Sequence, residues 1–236
     1  MSMASLDEEN DAATHSRSVL VVEDEPLLRE LIGAALEAHG FEVVTAGSAS
    51  DAVRAFRAVD PDGVVMDVDL GLGPNGFDVA ERFVQAGTGV AIVFLTNLPD
   101  PRFAGRGPDD VPAGIAYLRK GAVHDVGALV ATLDAAMRGD VATEMRHDRD
   151  ASRPLADLTR HQVEALRLVA LGRTNAQIAQ VRGTTEKAVE RVVARAFAAA
   201  GVSAQAASNT RVDAARRFIH LSGHPMVNAD DLGPGR

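Results

Sequence analysis

Five residues in the front half of the chain could do chemistry together: Glu23, Asp24, Asp67, Thr96 and Lys120. Each closes a short apolar run. Ser18–Glu23 (SVLVVE) ends at the acidic pair, Gly63–Asp67 (GVVMD) at Asp67, and Gly89–Thr96 (GVAIVFLT) at Thr96; Ile115–Leu118 (IAYL) runs on to Lys120. In open parallel sheets, reactive groups gather at the carboxyl ends of the strands. If these runs are such strands, three carboxylates converge. Two unit charges about 4 Å apart interact by roughly 4 kcal/mol at an effective dielectric near 20, so the cluster needs a cation. An all-oxygen donor set without Cys or His favours a hard ion, Mg2+ foremost. The chemistry this supports is phosphoryl capture. Asp67 is the candidate nucleophile, forming an acyl phosphate. Mg2+ and Lys120 would neutralise the phosphoryl oxygens, and Thr96 would turn its hydroxyl toward the new group. A lone Asp at a strand end is usually just solvated; five such residues at the right ends of the right runs are harder to dismiss.

The elements that must position these residues are legible as a pattern. Continuous, β-branched-rich runs bounded by turn residues read as strands buried on both faces, and Phe41–Thr45 (FEVVT) completes a set of five. Helical patterns lie between them at Pro26–His39, Ala49–Ala58 and Phe77–Gln85, with Val123–Met137 after the last. This alternation implies an α/β fold, a doubly wound parallel five-stranded sheet of order 2-1-3-4-5. Residues 97–114 (NLPDPRFAGRGPDDVPAG) break the pattern with four prolines and three glycines. Proline costs about 3 kcal/mol inside a helix, so a mobile loop with at most one or two turns is expected there. Four short helical patterns follow in the back half: Arg160–Leu171, Asn175–Arg182, Glu186–Ala200 and Arg211–Leu221, punctuated by Gly172, Gly183 and Gly201. The implied division is an acidic disordered N-terminus (1–17), an α/β domain (18–138), a polar linker (139–157), a small all-α domain (158–222) and a flexible tail (223–236).

Composition narrows the function. There are no cysteines, which excludes disulfides, iron–sulfur clusters and cysteine-ligated zinc. No apolar run approaches the roughly 20 residues of a bilayer span, and the acidic N-terminus lacks the apolar core of a secretory signal. A cytoplasmic protein without a membrane partner is expected. Residues 1–150 hold 26 Asp and Glu against 12 Lys and Arg, whereas residues 151–236 hold 7 against 12. An acidic front and a basic back suggest different partners, the second plausibly nucleic acid.

Residues 18–138 resemble the receiver domain of bacterial two-component response regulators. The motifs that carry the resemblance are VLVVEDEP (Val19–Pro26), VVMDVDL (Val64–Leu70), VFLTN (Val93–Asn97) and YLRKG (Tyr117–Gly121). The resemblance implies that Asp67 is the phosphoacceptor. Asp24 would ligate Mg2+ directly and Glu23 through water, with the backbone carbonyl of Asp69 as a further ligand. Thr96 and Tyr117 would form the switch pair. The chain departs from the family at Gly71 and Gly121, where proline is common, at Asn97, where a small residue is usual, and in residues 97–114, where a helix is usual.

Residues 158–202 resemble the LuxR-type helix-turn-helix domain. The matches include Leu158, Thr159, Glu164, Leu166, Gly172, Asn175, Ile178, Ala179, Gly183, Val189, Val193, Gly201 and Val202. By that resemblance Asn175–Arg182 is the first helix of the motif and Glu186–Ala200 the recognition helix, which enters the major groove of DNA. Lys187, Arg191 and Arg195 fall on one helical stripe, and Glu190 stands among them where the family often has a basic residue. An apolar stripe of Val212, Ala215, Phe218 and Ile219 fits a cap on this domain or a dimer contact.

Together the two resemblances imply a DNA-binding response regulator rather than an enzyme. Its partners would be double-stranded DNA, a sensor histidine kinase, a second copy of the chain when active, and RNA polymerase. One alternative is a receiver that regulates DNA binding without phosphorylation. Another comes from a different class: Asp67-Val68-Asp69 also resembles the D-x-D of haloacid-dehalogenase-type phosphatases. Those enzymes carry the motif on the first strand; here it is on the third, behind an acidic pair.

Overall fold

The computed structural model describes residues 17–107, 109–112, 114–202 and 209–223. The expected disorder of residues 1–17 and flexibility of residues 223–236 concern stretches that, apart from Arg17 and Gly223, lie outside the described residues. The α/β part runs β1 (Ser18–Val22), α1 (Pro26–Glu37), β2 (Glu42–Ala46), α2 (Ala49–Val59), β3 (Gly63–Met66), α3 (Gly76–Gln85), β4 (Ala91–Thr96), β5 (Ala116–Arg119) and α4 (Val126–Arg138). All pairings are parallel and the order is β2-β1-β3-β4-β5, as the strand–helix alternation implies.

The apolar runs are continuous because both faces of the sheet are covered. Leu20, Val22, Val64, Met66, Ile92, Phe94 and Tyr117 pack with α2 and α3 on one face. Val19, Val21, Val65, Val93, Leu95 and Leu118 alternate with them and pack with α1 and α4 on the other. Local chemistry sets the helix starts. Pro26 opens α1, Ser48 accepts from the Asp51 N–H to cap α2, and Asn75 with Asp78 forms a capping box on α3. The last helix begins at Val126, not Val123, because the Asp125 carboxylate accepts the Ala128 N–H there at 2.8 Å.

The helical part comprises α5 (Arg160–Ala170), α6 (Asn175–Val181), α7 (Glu186–Ala199) and α8 (Thr210–Ser222). Capping boxes from Thr159 with Gln162 and Thr174 with Gln177 start α5 and α6. Val189 and Val193 of α7 close over Ala165, Leu168, Val169, Ile178 and Ala179, giving α5, α6 and α7 a small core of their own.

Two stretches pack more closely than their composition suggests. Among the described residues between β4 and β5 there is one 3-10 turn, Pro101–Ala104, and no regular helix, as the proline and glycine load implies. The stretch expected to be a mobile loop is packed in at several points: Leu98, Phe103, Ala104 and Val111 are buried, and the core that contains them continues into Leu158, Val163, Leu166, Ala196, Ala200, Ala214 and Phe218 of the helical part. Within the expected linker 139–157, residues 143–149 run along the open edge of β5. Tyr117 and Arg146 form an isolated parallel bridge, Arg146 makes two 2.8 Å bonds to Asp148, and the Arg119 N–H donates to His147 Nδ1 at 3.0 Å. The strap thereby occupies backbone groups that an edge strand otherwise leaves open.

Candidate functional site

Strand register builds the acidic pocket. Val22 pairs with Met66, and the Asp67 N–H donates to the Val22 carbonyl at 2.8 Å, so the residues that follow β1 and β3 emerge side by side. Glu23, Asp24 and Asp67 each bring a carboxylate oxygen within 4.8 Å of the others. Lys120, just past β5, bridges two of them, with Nζ 2.6 Å from Asp67 Oδ2 and 2.7 Å from Glu23 Oε2. Glu23 and Asp67 are buried and Asp24 is exposed. Burial, then the charge of Asp67, pushes the Glu23 carboxyl up to about 7. Burial alone would lower the Lys120 ammonium, but the facing Asp67 and Glu23 outweigh it and hold its pKa above the ordinary value. The pocket thus concentrates negative charge around one ammonium, with an exposed carboxylate at its mouth. Three convergent carboxylates with no nitrogen or sulfur donor fit a hard divalent ion.

Two residues shape the pocket that sequence reading missed. Arg29, in the first turn of α1, donates from Nη1 to the Glu23 carbonyl at 2.7 Å and the Asp24 carbonyl at 3.3 Å, pinning the acidic turn. An arginine one turn after a strand-end acidic pair was the available signal. Gly76 opens α3 against the backbone of Asp67 and Val68, and its N–H donates to the Val68 carbonyl at 2.8 Å. The loop it closes carries Asp69, whose N–H donates to Asp67 Oδ1 at 3.1 Å. Gly71 and Gly73 in that loop have φ of +77° and +116°, a path that proline at 71 could not take. The Lys120–Gly121 peptide is trans.

Thr96 ends β4, buried beside the pocket strands, and its Oγ1 accepts the Leu98 N–H at 3.3 Å. Tyr117 is fully buried on β5 and donates its hydroxyl to the Leu98 carbonyl at 3.1 Å. Burial, then the charges of Asp100, Asp148 and Asp67, raises the Tyr117 phenol well above its usual value, so it stays a donor. The two residues of the expected switch pair are therefore joined through the backbone of one residue, Leu98.

The second set of residues lies on α7. Gly183, at φ +59°, turns the chain between α6 and α7. Val189, Val193 and Ala196 are buried, whereas Lys187, Glu190, Arg191 and Arg195 are exposed together on the opposite face. Arg182 lies alongside α5, with Nη2 3.0 Å from His161 Nδ1. On α8, Ala214, Phe218 and Ser222 are buried, while Val212 and Ile219 stay exposed.

A doubly wound five-stranded sheet with an acidic pocket and a lysine at its carboxyl edge defines the receiver class of α/β domain. Comparison with known proteins agrees: residues 19–107 match the family model described as response regulator receiver domain. That portion of the chain is a receiver domain. The chain is 39% identical over 97 residues to the probable transcriptional regulatory protein TcrX of Mycobacterium tuberculosis, a match covering 39% of this chain and 41% of that protein. It is 27% identical over 188 residues to the transcriptional regulatory protein LiaR of Bacillus subtilis, covering 73% of this chain and 85% of that one. Among solved structures, a LuxR-family two-component response regulator from Aurantimonas sp. SI85-9A1 aligns over 54% of this chain and 89% of its own, with 28% identity and a TM-score of 0.47. No helix among the described residues is long and apolar enough to cross a membrane.

Proposed function

We propose that the protein is a response regulator in which phosphorylation of Asp67 controls DNA binding by the helix-turn-helix. The reading is supported above all by Asp67 itself, buried with the Lys120 ammonium 2.6 Å away and shared with Glu23, in a receiver sheet on the same chain as a helix with an exposed stripe of Lys187, Arg191 and Arg195. A carboxylate oxygen of Asp67 attacks phosphorus in a phosphohistidine of a sensor kinase. The new O–P bond forms as the P–N bond breaks, and the imidazole leaves with the electron pair and takes up a proton. Lys120, released from Asp67 Oδ2, follows the charge onto a phosphoryl oxygen. Asp24, Asp67 and the Asp69 carbonyl would hold Mg2+, with Glu23 behind a water; the ion supplies positive charge for the phosphoryl oxygens. Thr96 turns its hydroxyl toward the acyl phosphate and gives up the Leu98 N–H. Tyr117, bonded to the other side of Leu98, feels the change. Lys187, Glu190, Arg191 and Arg195 contact duplex DNA in the cytoplasm, where RNA polymerase and a second copy of the chain are the remaining partners.

The test uses acetyl phosphate as donor, with and without Mg2+, on wild type and Asp67→Asn. Intact mass should show one phosphoryl adduct on wild type that needs Mg2+ and is absent from the variant. An adduct on the variant, or none on wild type at any donor concentration, would overturn the assignment.

A further inference from the structure

The stretch between β4 and β5 grips the helical part at its rear. All four residues of the Pro101–Ala104 turn are buried. The Arg102 guanidinium, 4% exposed, meets Asp100 through Nε at 2.8 Å and Nη2 at 2.6 Å. Its remaining donors reach forward more than fifty residues, from Nη1 to the Leu158 carbonyl and from Nη2 to the Leu155 carbonyl at 3.1 Å. Both carbonyls belong to the turn that leads into α5. Asp100 also accepts from Arg153 at 3.0 Å, and Arg160 at the start of α5 donates to the Gly105 carbonyl at 3.1 Å. Beside this polar clamp, Phe103 stacks on Phe218 of α8, with ring centroids 5.0 Å apart and planes 17° from parallel.

Among the described residues, the bonds and ring contact that join the seat to the helical part lie at the entry to α5 and on the buried face of α8. The core they belong to also takes in Ala196 and Ala200, near the C-terminal end of α7. The N-terminal half of α7 belongs to the other core, with Val189 and Val193 turned to α5 and α6. Lys187, Glu190 and Arg191 are exposed on that half while the seat is closed. In helix-turn-helix proteins the N-terminal residues of the recognition helix reach the base edges. The half of α7 that would read DNA is thus not the half that shares a core with the receiver. Opening the seat would uncover two phenylalanines and strip Arg102 of its carbonyl partners without exposing any DNA-reading residue that is now covered.

We propose that this protein binds duplex DNA in the closed form, with the β4–β5 stretch acting as a seat that orients the helix-turn-helix and not as a plug that must be withdrawn. The proposal rests on the DNA-binding reading of α7 given above. It makes Arg102 and Phe103 positioning residues: they touch no DNA, and their loss loosens the orientation of α7.

The test uses the full chain, treated with acetyl phosphate and Mg2+, and a short duplex selected by that protein from random sequence. Small-angle neutron scattering with the DNA contrast-matched gives the radius of gyration of the protein alone. A compact chain of this length should give about 18 Å. The forward scattering gives the number of chains bound; the radius expected is that of one closed chain, or of two closed chains where the protein mass doubles, and expansion beyond the radius for that mass would overturn the closed form while leaving DNA binding intact. If no duplex is selected and no complex forms, the DNA-binding reading itself fails and takes the proposal with it. Arg102→Gln and Phe103→Ala supply a second readout. Each should enlarge the free protein and leave affinity for the selected duplex equal or up to about tenfold weaker. Tighter binding by either variant would show that the seat restrains DNA binding, and the proposal would be wrong.

Discussion

A methyl group at position 76 would sit 2.1 Å from the carbonyl oxygen of Asp67 and 2.8 Å from Cα of Val68, both backbone atoms that cannot step aside. Gly76→Ala should therefore lower stability by about 1–3 kcal/mol and weaken phosphoryl-adduct formation, because the strain falls on the backbone of Asp67, the proposed phosphoacceptor. Gly121→Ala, beside Lys120 but with nothing within 4 Å, is the control and should stay within about 0.5 kcal/mol in urea titrations. His147 yields a second residue-scale prediction. Burial, then the nearby Arg119, lowers its pKa below the usual 6.5, and Nδ1 serves as acceptor for the Arg119 N–H, a role that protonation would remove. A histidine with a depressed folded pKa binds fewer protons folded than unfolded, so its contribution is full above 6.5 and is lost as pH falls from there through the folded value. Glu23, raised to about 7, has the opposite sign: its contribution is present at low pH and fades as pH rises from 4.5 toward 7. His147→Asn keeps an acceptor at the Nδ1 position without the titration, and leaves Glu23 alone. Urea titrations from about pH 7.5 to about pH 5 should show wild type losing stability relative to this variant as pH falls; parallel curves would refute the role of His147. Glu23, Asp24, Asp67 and Lys120 could be placed from the sequence because each closes an apolar run, and parallel strands bring run-ends together. Gly76 could not, since a close backbone approach leaves no trace in residue types beyond one glycine among 21.

At the scale of elements, most helix starts were legible to within about a residue because they are local, although the last receiver helix begins three residues later than its pattern implied. Thr159 with Gln162, Thr174 with Gln177 and Asn75 with Asp78 are pairs three residues apart, each exchanging a side-chain bond for a backbone bond. The stretch from 97 to 114 was legible only in the negative. Its prolines and glycines exclude a helix, but what orders it is Arg102 bonding to Leu155 and Leu158, 53 and 56 residues downstream. No local pattern encodes that. Helix α7 combines both kinds of information: its buried stripe was periodic, and its exposed stripe is Lys187, Glu190, Arg191 and Arg195. If Lys187 meets only phosphate, Lys187→Ala should weaken binding to all duplexes and reduce the salt slope by about 1. Arg191, toward the middle of the exposed face, should read a base; Arg191→Ala should cost about 1–3 kcal/mol and relax preference at one position. Glu190→Gln should strengthen binding to random duplex, since a carboxylate opposes phosphate. Titrations of the full chain against selected and random duplex at several salt concentrations check all three. Replacing Lys187, Arg191 and Arg195 together without changing affinity or slope would exclude α7 as the reading element.

The charge asymmetry of the chain, acidic in front and basic behind, pointed to two parts with different partners. It said nothing of how those parts cohere. The structure joins them through one apolar cluster that runs from Leu20 under the sheet, past Phe94, Tyr117 and Phe103, to Phe218 and Leu158. Such continuity makes separate unfolding unfavourable, because freeing α5 and α8 would expose Phe103, Phe218 and Val163 to water and unseat the buried Arg102. One cooperative transition is the expected outcome. The chain offers an unusually clean probe, having one tyrosine, Tyr117, and no tryptophan. Tyrosine fluorescence therefore reports on β5 alone, whereas far-UV circular dichroism samples the helices of both parts. The two signals should trace one urea transition. The sharper form of the prediction lies at Phe218, which is 101 residues downstream of Tyr117 and on the other side of the β4–β5 stretch. Phe218→Ala removes a fully buried ring and its stacking on Phe103, a change that typically costs about 3–5 kcal/mol. In one cooperative body that loss must appear in the Tyr117 signal, with its midpoint moving to lower urea together with the dichroism. In two independent bodies the tyrosine midpoint would stay where it is in wild type and only part of the dichroism would shift. Equilibrium titration of the two proteins, followed by both probes, separates these outcomes.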